Sequence, residues 1–149
     1  MFPNFISHLK KYIQLTEEEI DLLANEVKVV DINKKEFLLE EGKVCRYNYF
    51  VENGCLRMYY HHEKGKEQIV QFALENWWLA DYTSFTFQQK SVFFIQAIEK
   101  SKVVAFDANT QDELFKKIPQ LEHYFRLMMQ RAYGATQMRV KFYHDKSKN

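Results

Sequence analysis

At 149 residues the chain has room for one domain with a real core, and 46% hydrophobic with 16% aromatic residues excludes a disordered polymer. Its 21 basic and 20 acidic residues leave a net charge of +1, which removes any electrostatic case for nucleic-acid binding by this segment. Two cysteines make neither a disulfide framework nor a four-ligand metal site, and no stretch approaches the roughly 20 apolar residues of a membrane span. Cys45 and Cys55 therefore read as free thiols of a reducing compartment. The N-terminus lacks the basic-then-apolar order of a signal peptide, so the expected location is the cytoplasm.

Phe2, Phe5, Ile6, Leu9 and Ile13 recur at helical spacing, which predicts a short amphipathic helix over 3–14. Thr16-Glu17-Glu18-Glu19 is a capping box, and Ile20, Leu23, Ala24 and Val27 continue a second helix behind it. From Val27 the period becomes extended. Strands are expected around Val29 and around Phe37 to Leu39, with a turn at Asn33-Lys34-Lys35 between them. Two aromatic-rich strands then flank Asn53-Gly54, and Asn-Gly between strand residues is a strong hairpin signal. On the second of them Leu56, Met58 and Tyr60 share one face, and Cys55, Arg57 and Tyr59 the other. A polar turn from His61 to Lys66 leads to a further strand, EQIVQFAL. Residues 76–89, NWWLADYTSFTFQQ, show neither clean period. Residues 91–98 and 102–106 form another strand pair around Glu99-Lys100-Ser101. Seven or eight short strands in all are spaced as a roll or barrel needs.

The C-terminal part reads as helical. Thr110 to Glu113 is a second capping-box pattern, and Pro119 suits the first turn of a new helix of about 24 residues. Leu121, Phe125, Met128, Ala132 and Ala135 step by four and three, the spacing of a coiled-coil seam. Two uses fit that seam: packing on the chain's own barrel, or pairing with a second copy. The tail from His144 to Asn149 is polar and is expected to fray.

The order Gly42, Tyr49-Phe50-Val51, then Gly54 with Leu56, resembles the front of a cyclic-nucleotide-binding β-roll. Two leading helices, a roll and a long last helix resemble the sensor domain of Crp/Fnr-family bacterial regulators over nearly the whole chain. The resemblance implies a mainly β fold with flanking helices: a double-stranded β-helix, or jelly roll, plus N-terminal helices and a long C-terminal dimerisation helix. It divides the chain into a sensor roll over 1–118 and the dimerisation helix with its tail over 119–149, in one structural domain. It implies a homodimer, with Leu121, Phe125, Met128, Ala132 and Ala135 at the interface. DNA would be reached only through a helix-turn-helix outside this segment, so the segment reads as a sensor excised from a longer regulator.

By the same resemblance the ligand pocket would be formed by Ala80, Asp81, Tyr82, Ser91, Val92, Thr136 and Gln137. Here the sequence departs from cyclic-nucleotide binders. Ala80-Asp81 stands where they carry Gly-Glu, and Ser91-Val92 where they carry an arginine followed by Ser or Thr. A cyclic phosphate is a buried anion that needs charge-assisted donors, so cyclic AMP and cyclic GMP are not the expected ligands. An unknown small effector in an aromatic pocket is one reading. The other is that Trp77, Trp78, Tyr82, Phe85, Phe87, Phe93 and Phe94 fill the space, leaving a ligand-free interaction module. No cofactor and no metal are expected. Adjacent His61 and His62 on a strand end point apart, which also counts against a metal-dependent enzyme on a similar roll, for which His-x-His is the usual spacing. The chain is accordingly read as a non-enzyme.

Overall fold

The structure, a computed structural model, describes residues 2–147. Helix α1 (Pro3–Lys10) starts with proline at its first positions and no side-chain cap of its own. A distant carboxylate supplies the cap: Glu52 accepts from the backbone N–H groups of Asn4 and Phe5, each at 2.8 Å. Helix α2 (Glu17–Glu26) forms the expected capping box, with Thr16 and Glu19 bonded reciprocally. Eight strands follow: β1 (Lys28–Ile32), β2 (Phe37–Leu39), β3 (Tyr47–Asn53), β4 (Leu56–His61), β5 (Glu67–Ala73), β6 (Trp78–Leu79), β7 (Phe94–Ala97) and β8 (Ser101–Asp107). Helix α3 (Tyr82–Phe87) lies between β6 and β7, and α4 (Ala108–Lys117) and α5 (Gln120–Ser147) close the chain.

The strands form two antiparallel four-stranded sheets, in the orders β1-β8-β3-β6 and β2-β7-β4-β5. Successive strands change sheet at every connection except β4–β5, so the chain winds as a double-stranded roll. This corrects two local expectations. Asn53-Gly54 is a turn, but β3 and β4 do not pair; the turn carries the chain from one sheet to the other. The same holds for β7 and β8 around Glu99-Lys100. The β4–β5 connection is a true hairpin, closed by His62 N–H to Lys66 O at 2.7 Å, with Gly65 at φ +78°. At the corner after β3, Gly54 has φ +110°, and a Cβ there would meet the Cα of Ser101 at 2.8 Å.

The central strands β3 and β8 of the first sheet are covered on both faces, so Asn48 to Glu52 of β3 are buried in succession. Tyr49 and Val51 point into the roll, where Leu56, Leu79, Ile95 and Val103 meet them. Phe50 points the other way, with Trp78, Val104 and Phe106, into a second core under the helices. Aromatic edges dominate that layer. Phe5 packs on Phe50 at 5.4 Å and Trp78 on Phe125 at 4.8 Å between centroids.

Two expectations about the last helices change. The cap of α4 is Asp107, which accepts from the Thr110 N–H at 2.8 Å, so Thr110 lies inside the helix. Helix α5 runs for 28 residues and continues through His144 to Ser147 instead of fraying there; residues 148–149 lie outside the described residues. Its first half packs on the chain's own first sheet. Leu121, Phe125 and Met128 are buried in the chain's own helical core together with Tyr124. Their four-three spacing marks the face laid on the roll. Ala132 and Ala135 are half-buried, and beyond them Tyr133, Met138, Val140, Phe142 and Tyr143 are exposed. Arg131 stands at the changeover, its guanidinium 3.5 Å from the Trp77 ring centre and bonded to the Asn76 carbonyl at 3.0 Å.

Candidate functional site

The irregular stretch 76–89 resolves into β6, a bend and the short helix α3. Asp81 is the N-cap of α3: its Oδ1 accepts from the Ser84 N–H at 3.3 Å. Its Oδ2 accepts from the Ser91 hydroxyl at 2.7 Å, and the Ser91 Oγ accepts in turn from the Phe93 N–H. Ser84 is buried as well. Its Oγ accepts from the Cys45 N–H at 2.8 Å and donates to the Gln89 carbonyl. Asp81, Ser84 and Ser91 thus form one knot at the start of α3 that ties the helix to the segments on either side.

The geometry brings Ala80, Asp81 and Ser91 together, as expected, with Ala80 and Ser91 buried. Tyr82 is adjacent but turns away to donate to Asn48 Oδ1 at 3.1 Å, and burial pushes its phenol well above the usual range. Val92, at a bend, is 58% exposed, whereas Ser91 is buried. Thr136 and Gln137 are exposed on α5, far along the chain from this knot. Thr136 donates to the Ala132 carbonyl of its own helix and lines an open groove with Met58, Tyr60 and Phe93. Phe93, whose N–H donates to the Ser91 Oγ, stands between that groove and the polar knot.

Of the aromatic residues, Phe85 is buried in the core of the roll, and Trp77, Tyr82 and Phe93 pack against it. Trp78 belongs to the helical core, Phe94 stacks on Tyr59 at 5.1 Å, and Phe87 is 67% exposed. Sequence reasoning missed Ser84, whose spacing from Asp81 is the Asx-cap pattern, and Asn48, which the strand period hides among apolar neighbours. Both cysteines are free thiols; burial raises the pKa of Cys45 above the ordinary value, and that of Cys55 likewise. Among the described residues no group of three His, Cys, Asp or Glu is placed to hold a metal ion, and no helix is long and apolar enough to cross a membrane.

The start of α3 offers a phosphate little. The Ser84 N–H and the Ser91 hydroxyl already donate to the Asp81 carboxylate, which occupies the helix start. No arginine bonds within this knot. An incoming phosphate would meet a resident carboxylate in place of a guanidinium.

Residues 29–117 match the family described as "Cyclic nucleotide-binding domain". The chain is 28% identical over 127 residues to the regulatory protein HlyX of Actinobacillus pleuropneumoniae, covering 83% of this chain and 51% of that protein. It is 31% identical over 125 residues to the fumarate and nitrate reduction regulatory protein of Yersinia pestis, covering 83% and 49%. The chain thus spans about half the length of these curated relatives. Among solved structures, the Thermus thermophilus catabolite activator protein superposes with a TM-score of 0.72 at 16% identity, covering 92% of this chain and 63% of that one, a likeness of fold. With the sheet order above, these matches show that the chain belongs to the cyclic nucleotide-binding domain family, as a Crp/Fnr-type member.

Proposed function

We propose that this chain is the sensory and dimerisation segment of a Crp/Fnr-type transcriptional regulator, acting through pairing of α5 and not answering to cyclic AMP or cyclic GMP. The observation that carries the reading is the change of character along α5. Its first half is buried on the roll, while its second half leaves Tyr133, Met138, Val140, Phe142 and Tyr143 exposed on one helix. Ala132 and Ala135 lie where that change occurs, and their small side chains allow a second helix to approach closely. Five large apolar side chains left exposed on one helix favour a cover, and a second copy offers the same side chains in return. Pairing would hold whatever follows α5 in a fixed relation to its copy, and a change at the roll would be transmitted through the residues that lay α5 on it.

The Asp81 knot supports the second half of the reading. A carboxylate bonded to Ser84 and Ser91 stands where an anionic ligand would need donors. It equally suits a form that dimerises with no ligand in the roll. Two measurements test the proposal on the chain as it stands. Sedimentation equilibrium is expected to give a dimer, and titration with cyclic AMP or cyclic GMP is expected to leave the melting temperature unchanged. A monomer at all concentrations, or a saturable rise in melting temperature with either nucleotide, would overturn it.

A further inference from the structure

Strand β5 is the last of its sheet and is bonded on one side only, to β4. In an antiparallel pair alternate residues turn both their N–H and their C=O away from the neighbour. On its other side β5 therefore presents a row of backbone donors and acceptors. The remaining edge strands offer less. β6 has two residues and β2 three, and the five of β1 include Lys28 and Asp31. β5 has seven, and from Gln68 to Ala73 it carries neither charge nor proline, the features that usually keep a free edge from pairing. Val70, the extra residue of a bulge opposite Met58 and Tyr59, is its one guard.

A groove of about 510 Å³ runs along this edge. Every residue from Glu67 to Phe72 lines it, and successive residues of a strand face opposite ways, so the space they share lies beside the edge itself. Arg139 and Tyr143 of α5 form the opposite wall. The two sides of the edge differ in chemistry. Gln68 and Gln71 lie across from Tyr60 and Met58, and these four share a second groove with Thr136 and Arg139, so this side faces α5. Ile69 and Phe72 lie across from Tyr59 and Arg57 on the other side, and both are exposed. Arg139 donates to Thr136 Oγ1 at 3.1 Å and belongs to neither ion pair of the described residues, Arg57–Glu67 and Lys141–Asp145. Most of its five donors are left for an anion, while Glu67 at the start of β5 is already engaged by Arg57.

We infer that β5 accepts an added strand: an extended segment of a partner protein in which apolar and acidic residues alternate. The backbone of the segment bonds to the free edge of β5. Its apolar side chains continue the row of Ile69 and Phe72, and a carboxylate on its other side meets Arg139. The alternation follows from the period of a strand, since every second side chain falls on the α5 side. The inference does not rest on how copies of α5 pair, because every receiving group belongs to one chain.

Isothermal titration of the full chain with a short synthetic peptide alternating glutamate and valine, its ends blocked, tests it. The peptide is expected to bind saturably, one per chain, and about tenfold more tightly than the same peptide with lysine for glutamate. Arg139 is exposed, so Arg139→Glu keeps the fold, and it is expected to reverse that order. Backbone N-methylation reads the strand addition itself. Only one edge of an added strand is bonded, so methylating either the glutamates or the valines is expected to abolish binding, and methylating the other set to leave it within about twofold. Absence of saturable binding by the glutamate peptide would overturn the inference. So would equal effects of the two methylations, or an order of affinity that Arg139→Glu leaves unchanged. A peptide affinity that falls as the chain's own concentration rises would place a second copy on the edge and overturn it too. The peptide is expected to bind whether sedimentation gives one chain or two, so failure here and failure of α5 pairing are read separately.

Discussion

Glu52 is a carboxylate buried at 3% exposure, and its two oxygens take the first free amides of α1 across 47 and 48 residues of sequence. A helix that begins at Phe2-Pro3 has no side-chain cap of its own, and the strand supplies one. Glu52→Gln keeps one acceptor and loses the charge and the second acceptor. It should lower stability by about 1–2 kcal/mol, read as a fall in the urea midpoint at constant slope. An unchanged midpoint would show that the charge contributes nothing there.

His8 is the second buried polar residue of α1. Its Nε2 faces Arg131 at 3.4 Å, and its Nδ1 is hydrogen-bonded to the Tyr124 hydroxyl at 2.8 Å. The same hydroxyl accepts from the Trp78 indole N–H at 2.8 Å. Burial, then the positive charges of Arg131 and Lys11, lower the His8 pKa to about 4. The folded value lies below the unfolded one, so the unfolded chain takes up its proton first as the pH falls. Stability from this residue is therefore full above about pH 6.5 and is lost as the pH drops toward 4, by about 2–3 kcal/mol. Denaturant midpoints at pH 7.5 and 4.5 should diverge in the native chain and converge in His8→Gln. Parallel profiles in the two proteins would remove His8 as the cause.

At the scale of elements, α5 is one helix whose first half is buried on the roll and whose second half is exposed. Leu121→Ala opens a cavity in a fully buried layer and should cost about 2–4 kcal/mol while leaving association intact in the surviving fold. Val140→Glu with Phe142→Glu should do the reverse: both side chains are exposed, so the melting temperature holds while the dimer separates to monomers in sedimentation. If both proteins lost stability equally, the division of the helix at Arg131 would be wrong.

The elements were largely legible because their evidence is local. The Thr16 box and the strands other than β6 can be read from residues a few positions apart. Strand partnership could not be read that way. Asn53-Gly54 announces a reversal, but whether the reversed strand pairs backward or enters a facing sheet depends on β6 and β8, far along the chain. Only the likeness to a known roll supplied that information. A four-three apolar pattern on α5 says that one face is covered, not by what. Asp81 and Ser91 are close in sequence and bonded to each other, whereas the placement of Thr136 and Gln137 depends on where α5 runs.

For the whole molecule, the first sheet belongs to both cores, since Tyr49 and Phe50 on β3 point into opposite layers. Neither core can dissolve without exposing one face of the same strands. Unfolding should therefore be a single transition, with tryptophan fluorescence and far-ultraviolet circular dichroism giving one midpoint. Two separated midpoints would mean that the helical layer detaches from an intact roll.

The two adjacent indoles report on different parts of this assembly. Trp78 is fixed in the helical core by Tyr124, whereas Trp77 lies under the guanidinium of Arg131, where the buried half of α5 ends. Light emitted by Trp77 therefore depends on whether that cation stays seated, while Trp78 supplies a steady background. With Trp78 replaced by Phe, a single lamp remains beneath the helix that would join two chains, and its brightness and colour would follow each tilt of that helix without any attached dye.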